Sequence, residues 1–308
     1  MIYFFEFEYG EIDRCRANKM TVHVPVLVKE VLESLNPQAG QIVVDGTLGG
    51  GGHTRLLALH VMPGGYVIGV DRDELAIKNA AQNLQDLPVK LAQGNFADIP
   101  EILDAFGVTK VSSVLLDLGL SSDQLQDEGR GFSYHSQGDF DLRFDTSKGE
   151  PAWRLLNRLS EKHLADLIFH FGEERYSRRV AKTFVEHRRK GPLKRADEIA
   201  GLVRRVVPRA KNHSIDPATR TFQAFRIAVN EELKWIEVAI RRLSERLEVG
   251  GRIAIISFHS LEDRLVKTTF RESPLLRSLH SKPIRPSEAE IAANPRARSS
   301  RLRVAERI

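Results

Sequence analysis

A short apolar run that ends in an acid and leads directly into glycines is the feature that most constrains this fold. Residues 42–44 are β-branched, Asp45 follows them, and the unbroken glycine block 49–52 precedes a helical pattern over residues 54–61. This order predicts a buried strand, a tight turn and a helix. Glycines in such a turn allow the backbone to approach a ligand, and amides at the helix N-terminus can face that ligand. A purely structural turn is the open alternative at this point.

Two more apolar runs end in an acid. Residues 65–70 lead to Asp71, and residues 111–116 lead to Asp117. With a further apolar run at residues 89–92, strand and helix patterns alternate four times, which predicts a parallel sheet with right-handed crossovers. Ligand sites of such sheets lie beyond the carboxyl ends of the strands. Each acid alone is explained by a cap or a turn, but the three together indicate a ligand site at one edge.

The acids also select the kind of ligand. A dinucleotide places its pyrophosphate at the glycine turn, where a carboxylate would repel it. S-adenosylmethionine has no phosphate and a cationic methionine part, so Asp45 favours that cofactor over NAD. Asp71 lies 20 residues beyond Gly51, the separation typical of a carboxylate that accepts hydrogen bonds from a ribose. A nicotinamide dehydrogenase stays the first alternative, and an N-cap for the helix beginning at Glu74 is the alternative role for Asp71.

The middle of the chain departs from the alternation. Residues 119–149 form a long polar stretch, and helical patterns without an evident strand continue to about residue 215, which predicts a helical insertion. Residues 178–211 carry twelve Lys and Arg against three Asp and Glu. This excess favours contact with phosphates over the alternative of a solvated helical face.

The last third of the sequence predicts a return to the sheet. A long helix is expected from Asp216 to about Leu247, ended by two glycines. A strand over residues 252–258 then brings His259 to the same edge as the acids, where it either orients a substrate group or is a satisfied histidine at a strand end. Residues 302–308 alternate like a final edge strand.

Composition excludes several classes of protein. The chain of 308 residues has a formal net charge of +5 and a pI of about 9.3, which suits a polyanionic partner. Cys15 is the only cysteine, so an internal disulfide is excluded and a reducing, cytoplasmic compartment is expected. The sequence has no metal-ligand spacing and no apolar run near the roughly 20 residues of a membrane span. Residues 1–22 differ from the rest and are predicted to form a disordered extension.

Eight segments in one order resemble the bacterial 16S ribosomal RNA (cytosine-N4) methyltransferases, the RsmH or MraW family. They are DGTLGGGGH (45–53), DRD (71–73), LDLGLSSDQL (116–125), RGFS (130–133), GEER (172–175), PATRTFQA (217–224), SFHSLEDR (257–264) and NPRARSS (294–300). The resemblance runs from about His23 to the C-terminus. It departs at residues 1–22, which have no counterpart, and over residues 272–293, which are shorter than in some relatives.

The resemblance implies an α/β fold of the class I S-adenosylmethionine-dependent methyltransferase type. This fold is a Rossmann-like, mostly parallel, doubly wound sheet, here built from residues 23–120 and 216–308, with residues 121–215 as a helical, RNA-recognising insertion. The implied reaction is N4-methylation of cytidine 1402 in the decoding centre of 16S ribosomal RNA, with S-adenosylhomocysteine as the second product. The implied partner is 16S rRNA within the small ribosomal subunit, and a homodimer stays open. A non-enzymatic ribosome-assembly factor is the second alternative.

The family's functional residues carry over position by position. The implied cofactor contacts are Gly51, Gly52 and His53 at the turn, Asp71 at the ribose, Phe96 at the adenine, and Asp117 and Gln124 near the methionine end. Phe96, taken alone, is better explained as a core residue. Asp117 and Ser121 are the candidates for handling the amine. Many amino-methyltransferases have (Asp/Asn/Ser)-Pro-Pro-aromatic after the fourth strand, whereas residues 117–120 read Asp-Leu-Gly-Leu here.

Overall fold

The structure is a computed structural model that describes residues 3–5, 25–120, 127–209 and 215–308. Most of the predicted N-terminal extension, residues 1–22, lies outside the described residues, and Tyr3–Phe5 within it forms a strand. The predicted site residues Ser121 and Gln124 also lie outside them.

Eight strands of the described part of the chain form one sheet in the order β1-β4-β3-β2-β5-β6-β8-β7. They are β1 (Tyr3–Phe5), β2 (Ile42–Asp45), β3 (Tyr66–Asp71), β4 (Val89–Gln93), β5 (Val111–Asp117), β6 (Leu247–Ser257), β7 (Leu276–Ser278) and β8 (Arg301–Arg307). Strands β2 to β6 pair in parallel, while β1 and β8 run antiparallel to their neighbours. The chain proceeds from β2 to β4 in one direction and continues from β5 in the other, so the order reverses between β2 and β5. Open α/β sheets bind ligands at such a reversal point.

Twelve α-helices connect these strands within the described residues. They are α1 (Val28–Leu35), α2 (Gly52–Val61), α3 (Glu74–Asn83), α4 (Ile99–Ala105), α5 (Ala152–Arg158), α6 (Glu161–Gly172), α7 (Ser177–Arg188), α8 (Ala196–Val206), α9 (Thr219–Asn230), α10 (Glu232–Arg246), α11 (Ser260–Glu272) and α12 (Glu288–Ala293). None of these described helices is long and apolar enough to span a membrane.

The core lies on both faces of the sheet because successive strand residues point to opposite sides. Val43 and Leu115 belong to one apolar cluster with α1 and α2. Val44 and Val114 belong to another with α4, α10 and α11. All four side chains are fully buried. The predicted mostly parallel, doubly wound α/β sheet is therefore confirmed.

The long helix predicted from Asp216 to Leu247 is wrong. Glu231 has a φ of 50°, in the left-handed region, so the helical segment divides there into α9 and α10. The expected glycine stop is also wrong, because β6 begins at Leu247 and Gly250, with a φ of 79°, lies within it. Periodicity favoured one helix because the apolar spacing continues through the break.

The C-terminal strand was predicted at the edge of the sheet, but β8 is an interior strand. It pairs with β6 on one side, and Leu276 of β7 pairs with Arg307 on the other. Three-residue strands such as β7 leave too short a pattern for periodicity to detect.

The chain divides into two compact units. We name residues 1–122 and 233–308 the sheet unit and residues 123–232 the helical unit. The predicted insertion, residues 121–215, ends too early, because α9 packs on α6 inside the helical unit. Gly172 of α6 allows this approach, since a Cβ there would clash with the carbonyl oxygen of Arg220.

Candidate active site

The turn after β2 has the predicted conformation. Asp45 is buried, and its carboxylate accepts hydrogen bonds from Thr54 Oγ1 at 2.7 Å and the Thr47 backbone N–H at 3.1 Å. Burial raises the pKa of Asp45, and these hydrogen bonds oppose the rise. Gly51 caps α2 with a φ of 82°, a conformation that a residue with a Cβ rarely adopts. The glycines thus let the chain reverse directly above the end of β2.

Asp71 links the end of β3 to the glycine turn. Its two carboxylate oxygens accept hydrogen bonds from the backbone N–H groups of Gly49, at 2.8 Å, and Asp73, at 2.9 Å. The cap of α3 is Asp73, which accepts from the Leu75 N–H, so the N-cap alternative for Asp71 is wrong. Burial, followed by the charges of nearby acids, raises the pKa of Asp71 to about 6 against the opposing backbone hydrogen bonds. Each oxygen keeps a further lone pair for a ligand hydroxyl.

Asp117 ends β5 beside the same turn. Its backbone N–H donates to Thr47 Oγ1 at 2.6 Å, and one carboxylate oxygen lies 3.8 Å from His53 Nε2. Burial first, and then the charges of Asp45 and Glu262, raise the pKa of Asp117 to about 7. The carboxyl group therefore changes its charge near neutral pH, which suits a group that exchanges protons with a ligand.

Glu262 lies at the same edge of the sheet, where sequence reasoning also placed it but assigned it no role. Its side chain is 1% exposed and accepts hydrogen bonds from the backbone N–H groups of Phe258, at 2.8 Å, and His259. His259 is the N-cap of α11, and its Nδ1 accepts from the Glu262 N–H, which completes a capping box. The capping box uses only Nδ1 of His259; within the described residues its buried Nε2 makes no hydrogen bond and lies 3.1 Å from Glu262 Oε1, so a role in orienting a substrate group stays a prediction. The three-residue spacing between His259 and Glu262 is the signal that predicts the capping role of Glu262.

Phe96 begins a short 3-10 turn, Phe96–Asp98, after β4. Asn95 and Asp98 close a capping box around this turn, which fixes the backbone of Phe96. The ring is partly buried against the apolar cluster that includes Ile102. Core packing thus accounts for part of the ring, and the adenine contact stays a prediction.

The structure brings the predicted residues of the sheet unit to one edge of the sheet. Asp45 and Asp117 end the two strands that flank the reversal point, and Asp71 ends the next strand. Gly52 and His53 begin α2, whose first amides have no intrahelical partner. A glycine turn for close approach and several buried carboxylates fit a nucleoside carrying a cationic group, and they do not fit a pyrophosphate.

Comparison with known proteins identifies the family. The sequence profile of the MraW methylase family matches residues 20–308. The chain is 46% identical over 299 residues to ribosomal RNA small subunit methyltransferase H of Rhodopirellula baltica, covering 94% of this chain and 92% of that protein. It is 48% identical over 286 residues to the protein of the same name from Deinococcus radiodurans, covering 92% and 89%. Among solved structures, a putative rRNA methylase from Clostridium thermocellum aligns with a TM-score of 0.47 at 15% identity, covering 93% and 100%.

The predicted family and cofactor are confirmed, and the dehydrogenase alternative is discarded. The family match covers every residue of the site described above. The chain belongs to the MraW methylase family, and it is a methyltransferase whose methyl donor is S-adenosylmethionine.

Proposed function

We propose that this protein methylates N4 of cytidine 1402 in 16S ribosomal RNA. One observation carries the proposal beyond the family: Asp117, with a pKa of about 7, ends β5 at the reversal point of the sheet. A carboxylate there can accept a hydrogen bond from an exocyclic amine and take up the proton that the amine loses on methylation. The names of the relatives, which specify the RNA of the small subunit, support the substrate.

The chain's own residues would hold the cofactor as follows. Asp71 would accept hydrogen bonds from the ribose hydroxyls, and Phe96 would lie against the adenine. The first-turn amides of α2, at Gly52 and His53, would face the methionine carboxylate. When bound, S-adenosylmethionine supplies an electrophilic methyl group for in-line displacement, so placement of the amine governs the rate.

The position of the only cysteine in the sequence favours methylation of an amine over methylation of a ring carbon. Methylation at carbon 5 of a pyrimidine proceeds through a thiolate nucleophile on the enzyme. The only cysteine of the sequence, Cys15, precedes every strand that ends at the site edge. Asp117 instead provides a base for nitrogen chemistry.

We assign RNA contact to the segment between α7 and α8 in the helical unit, residues 189–195, which we name the basic loop. Arg189, Lys190 and Lys194 are exposed, and Lys194 Nζ lies 4.8 Å from the ring centroid of Trp153. Among the described residues, no carboxylate pairs with Arg189 or Lys190. Three exposed cations, of which Lys194 lies beside an indole, suit a strand of RNA, because the cations offer phosphate contacts and the indole is a surface on which a base can stack.

The basic loop is anchored rather than loosely attached. Leu193 is buried, and its backbone N–H and carbonyl are both bonded to the side-chain amide of Asn157, at 3.1 and 2.7 Å. The backbone N–H of Phe140 donates to the Lys194 carbonyl, and the Phe140 carbonyl accepts from the backbone N–H of Trp153. The cations are therefore presented from a fixed backbone, which lowers the entropy lost on binding.

The direct test uses small ribosomal subunits from a strain that lacks the modification. The protein and labelled S-adenosylmethionine are added, and the modified nucleoside is identified by mass spectrometry. We expect N4-methylcytidine at position 1402. A methyl group on carbon 5 or on ribose would contradict the amine chemistry, and RNA binding without methyl transfer would favour the assembly-factor alternative. Free 16S rRNA in a parallel reaction shows whether the assembled subunit is required.

A further inference from the structure

Residues 117–120 provide an acid but no aromatic side chain, although a base reaching this edge needs a surface to replace its lost stacking. A nucleobase that is methylated on its exocyclic amine must leave its stack or be single-stranded. Such bases are usually held between aromatic or apolar side chains. Leu118, Gly119 and Leu120 follow Asp117 directly, so this segment offers apolar side chains only, and an aromatic ring that stacks on the base would come from another part of the chain.

Phe258, at the carboxyl end of the adjacent strand β6, supplies a ring at this place. A Cβ on Gly119 would lie 2.7 Å from Phe258 Cε2 and 3.4 Å from Asp117 Oδ1. The ring edge and the carboxylate therefore meet around one point, the position that a side chain of residue 119 would occupy. The φ of Gly119 is not positive, so glycine is required here for space and not for backbone conformation.

Hydrogen bonds fix the backbone on both sides of the contact. The Phe258 N–H donates to the buried Glu262 carboxylate at 2.8 Å, and the Leu118 N–H donates to the Ile256 carbonyl at 3.0 Å. Phe258 is partly exposed, whereas Ile256 two residues earlier is fully buried. Phe258 packs against the apolar cluster that includes Ile256, and the residue keeps part of its surface exposed next to the acid.

We propose that Phe258 is the base-stacking residue of this enzyme, holding the target cytosine so that Asp117 accepts a hydrogen bond from its amine. This assignment rests on the proposed function of the site. Other amino-methyltransferases carry an aromatic residue in the loop that corresponds to residues 117–120. In this protein Phe258, directly after β6, would take its place. Because Gly119 has no Cβ, the Phe258 ring has room to lie beside the Asp117 carboxylate.

The test compares Phe258→Leu with Phe258→Tyr in the subunit methylation assay. Leucine keeps the apolar packing and loses the π face, so kcat/KM for the RNA should fall about 10- to 100-fold, as expected for the loss of one base–aromatic stack. Tyrosine keeps the face and should stay within about threefold of the wild type. The affinity for S-adenosylmethionine, measured by calorimetry, should change less than about twofold in both variants, because the ring does not hold the cofactor.

A double-mutant cycle with Gly119→Ala sharpens the test. Alanine at residue 119 would displace the ring, so it should impair the wild type strongly and Phe258→Leu much less. An undiminished kcat/KM in Phe258→Leu overturns the stacking role, and so does a cofactor affinity that falls in parallel with activity. Product analysis separates this proposal from the proposed function. A wild-type product other than N4-methylcytidine contradicts the function, whereas the correct product at an undiminished rate from Phe258→Leu contradicts the stacking residue alone.

Discussion

The site edge of the sheet unit and the basic loop of the helical unit carry charge in opposite ways. Asp45 and Glu262 are each 1% exposed, and Asp117 is close enough to both for their charges to raise its pKa. Arg189 and Lys190 are exposed to solvent. Burying carboxylates together costs several kcal/mol unless a positive ligand compensates, whereas exposed cations cost little. Buried charge is therefore strong evidence for a ligand, and exposed charge must be tested by its effect on binding.

The largest effect is expected from Asp71. Asp71→Asn should weaken S-adenosylmethionine binding about 10- to 100-fold, because hydrogen bonds to a charged acceptor are each worth about 1.5–3 kcal/mol. Asparagine preserves the shape and one acceptor oxygen, so the contact to the turn is partly retained. Calorimetry measures the affinity. The control is Glu74→Gln, which removes the charge of an exposed acid on the following helix and so separates the role of Asp71 from the loss of a negative charge. An unchanged affinity in Asp71→Asn would mean that the ribose lies elsewhere.

The basic loop is tested by neutralising Arg189, Lys190 and Lys194 to Gln together. We expect RNA affinity at 0.15 M salt to fall about tenfold and the slope of log affinity against log salt to become shallower by about two. Filter binding across a salt series measures both quantities.

The matched control removes an equal number of positive charges, three, from the sheet unit. Lys29, Lys78 and Arg241 are exposed and already paired with Glu33, Glu74 and Glu237 on their own helices. Changing these three residues to Gln should leave the salt slope as it is. Equal losses in the two triple variants would show that only net charge matters and that the basic loop is not a binding surface.

Asp117 predicts a pH dependence that distinguishes the cofactor from its product. The sulfonium of S-adenosylmethionine favours the ionised carboxylate, whereas S-adenosylhomocysteine has a neutral sulfur. The affinity ratio of cofactor to product should therefore rise up to about tenfold from pH 6 to pH 8, through the pKa of about 7. Asp71 also titrates, but both molecules carry the same ribose, so its contribution cancels in the ratio. In Asp117→Asn the ratio should not vary with pH, and a variant that keeps the dependence would assign it to another group.

Sequence patterns predicted the edge of the sheet well because each strand there carries its own local signal. Asp45, Asp71 and Asp117 follow apolar runs, and one topological rule places such residues together. The alternation of strand and helix was likewise sufficient to predict a doubly wound sheet.

Long-range contacts explain what the sequence patterns missed. Phe258 and Gly119 are far apart in sequence, and only the pairing of β5 with β6 brings them together. Glu262 was placed at the edge of the sheet but given no role, because periodicity does not report which backbone amides a helix side chain will bind. The break at Glu231 was missed for a related reason, since a single left-handed residue leaves the apolar spacing intact.

The smallest expected effect is that of Asp117→Asn on the stability of the cofactor-free enzyme. The substitution should stabilise the fold, although it removes the carboxylate that favours the sulfonium. The folded-state pKa of Asp117, about 7, lies above its unfolded value near 3.8, so the folded protein binds the proton more tightly. Stability from this group is present below pH 4 and is lost as the pH rises to 7. Asp117→Asn should therefore raise the free energy of unfolding by about 1–2 kcal/mol at pH 8, and the melting midpoint by roughly 2–6 °C. At pH 5 the gain should fall to roughly 40% of its value at pH 8, because the unfolded carboxyl is ionised there while the folded one is still protonated, and the loss grows until the pH reaches the folded pKa. Thermal denaturation at both pH values tests this, and a stabilisation equal at pH 5 and pH 8 would show that packing, rather than buried charge, distinguishes the two side chains.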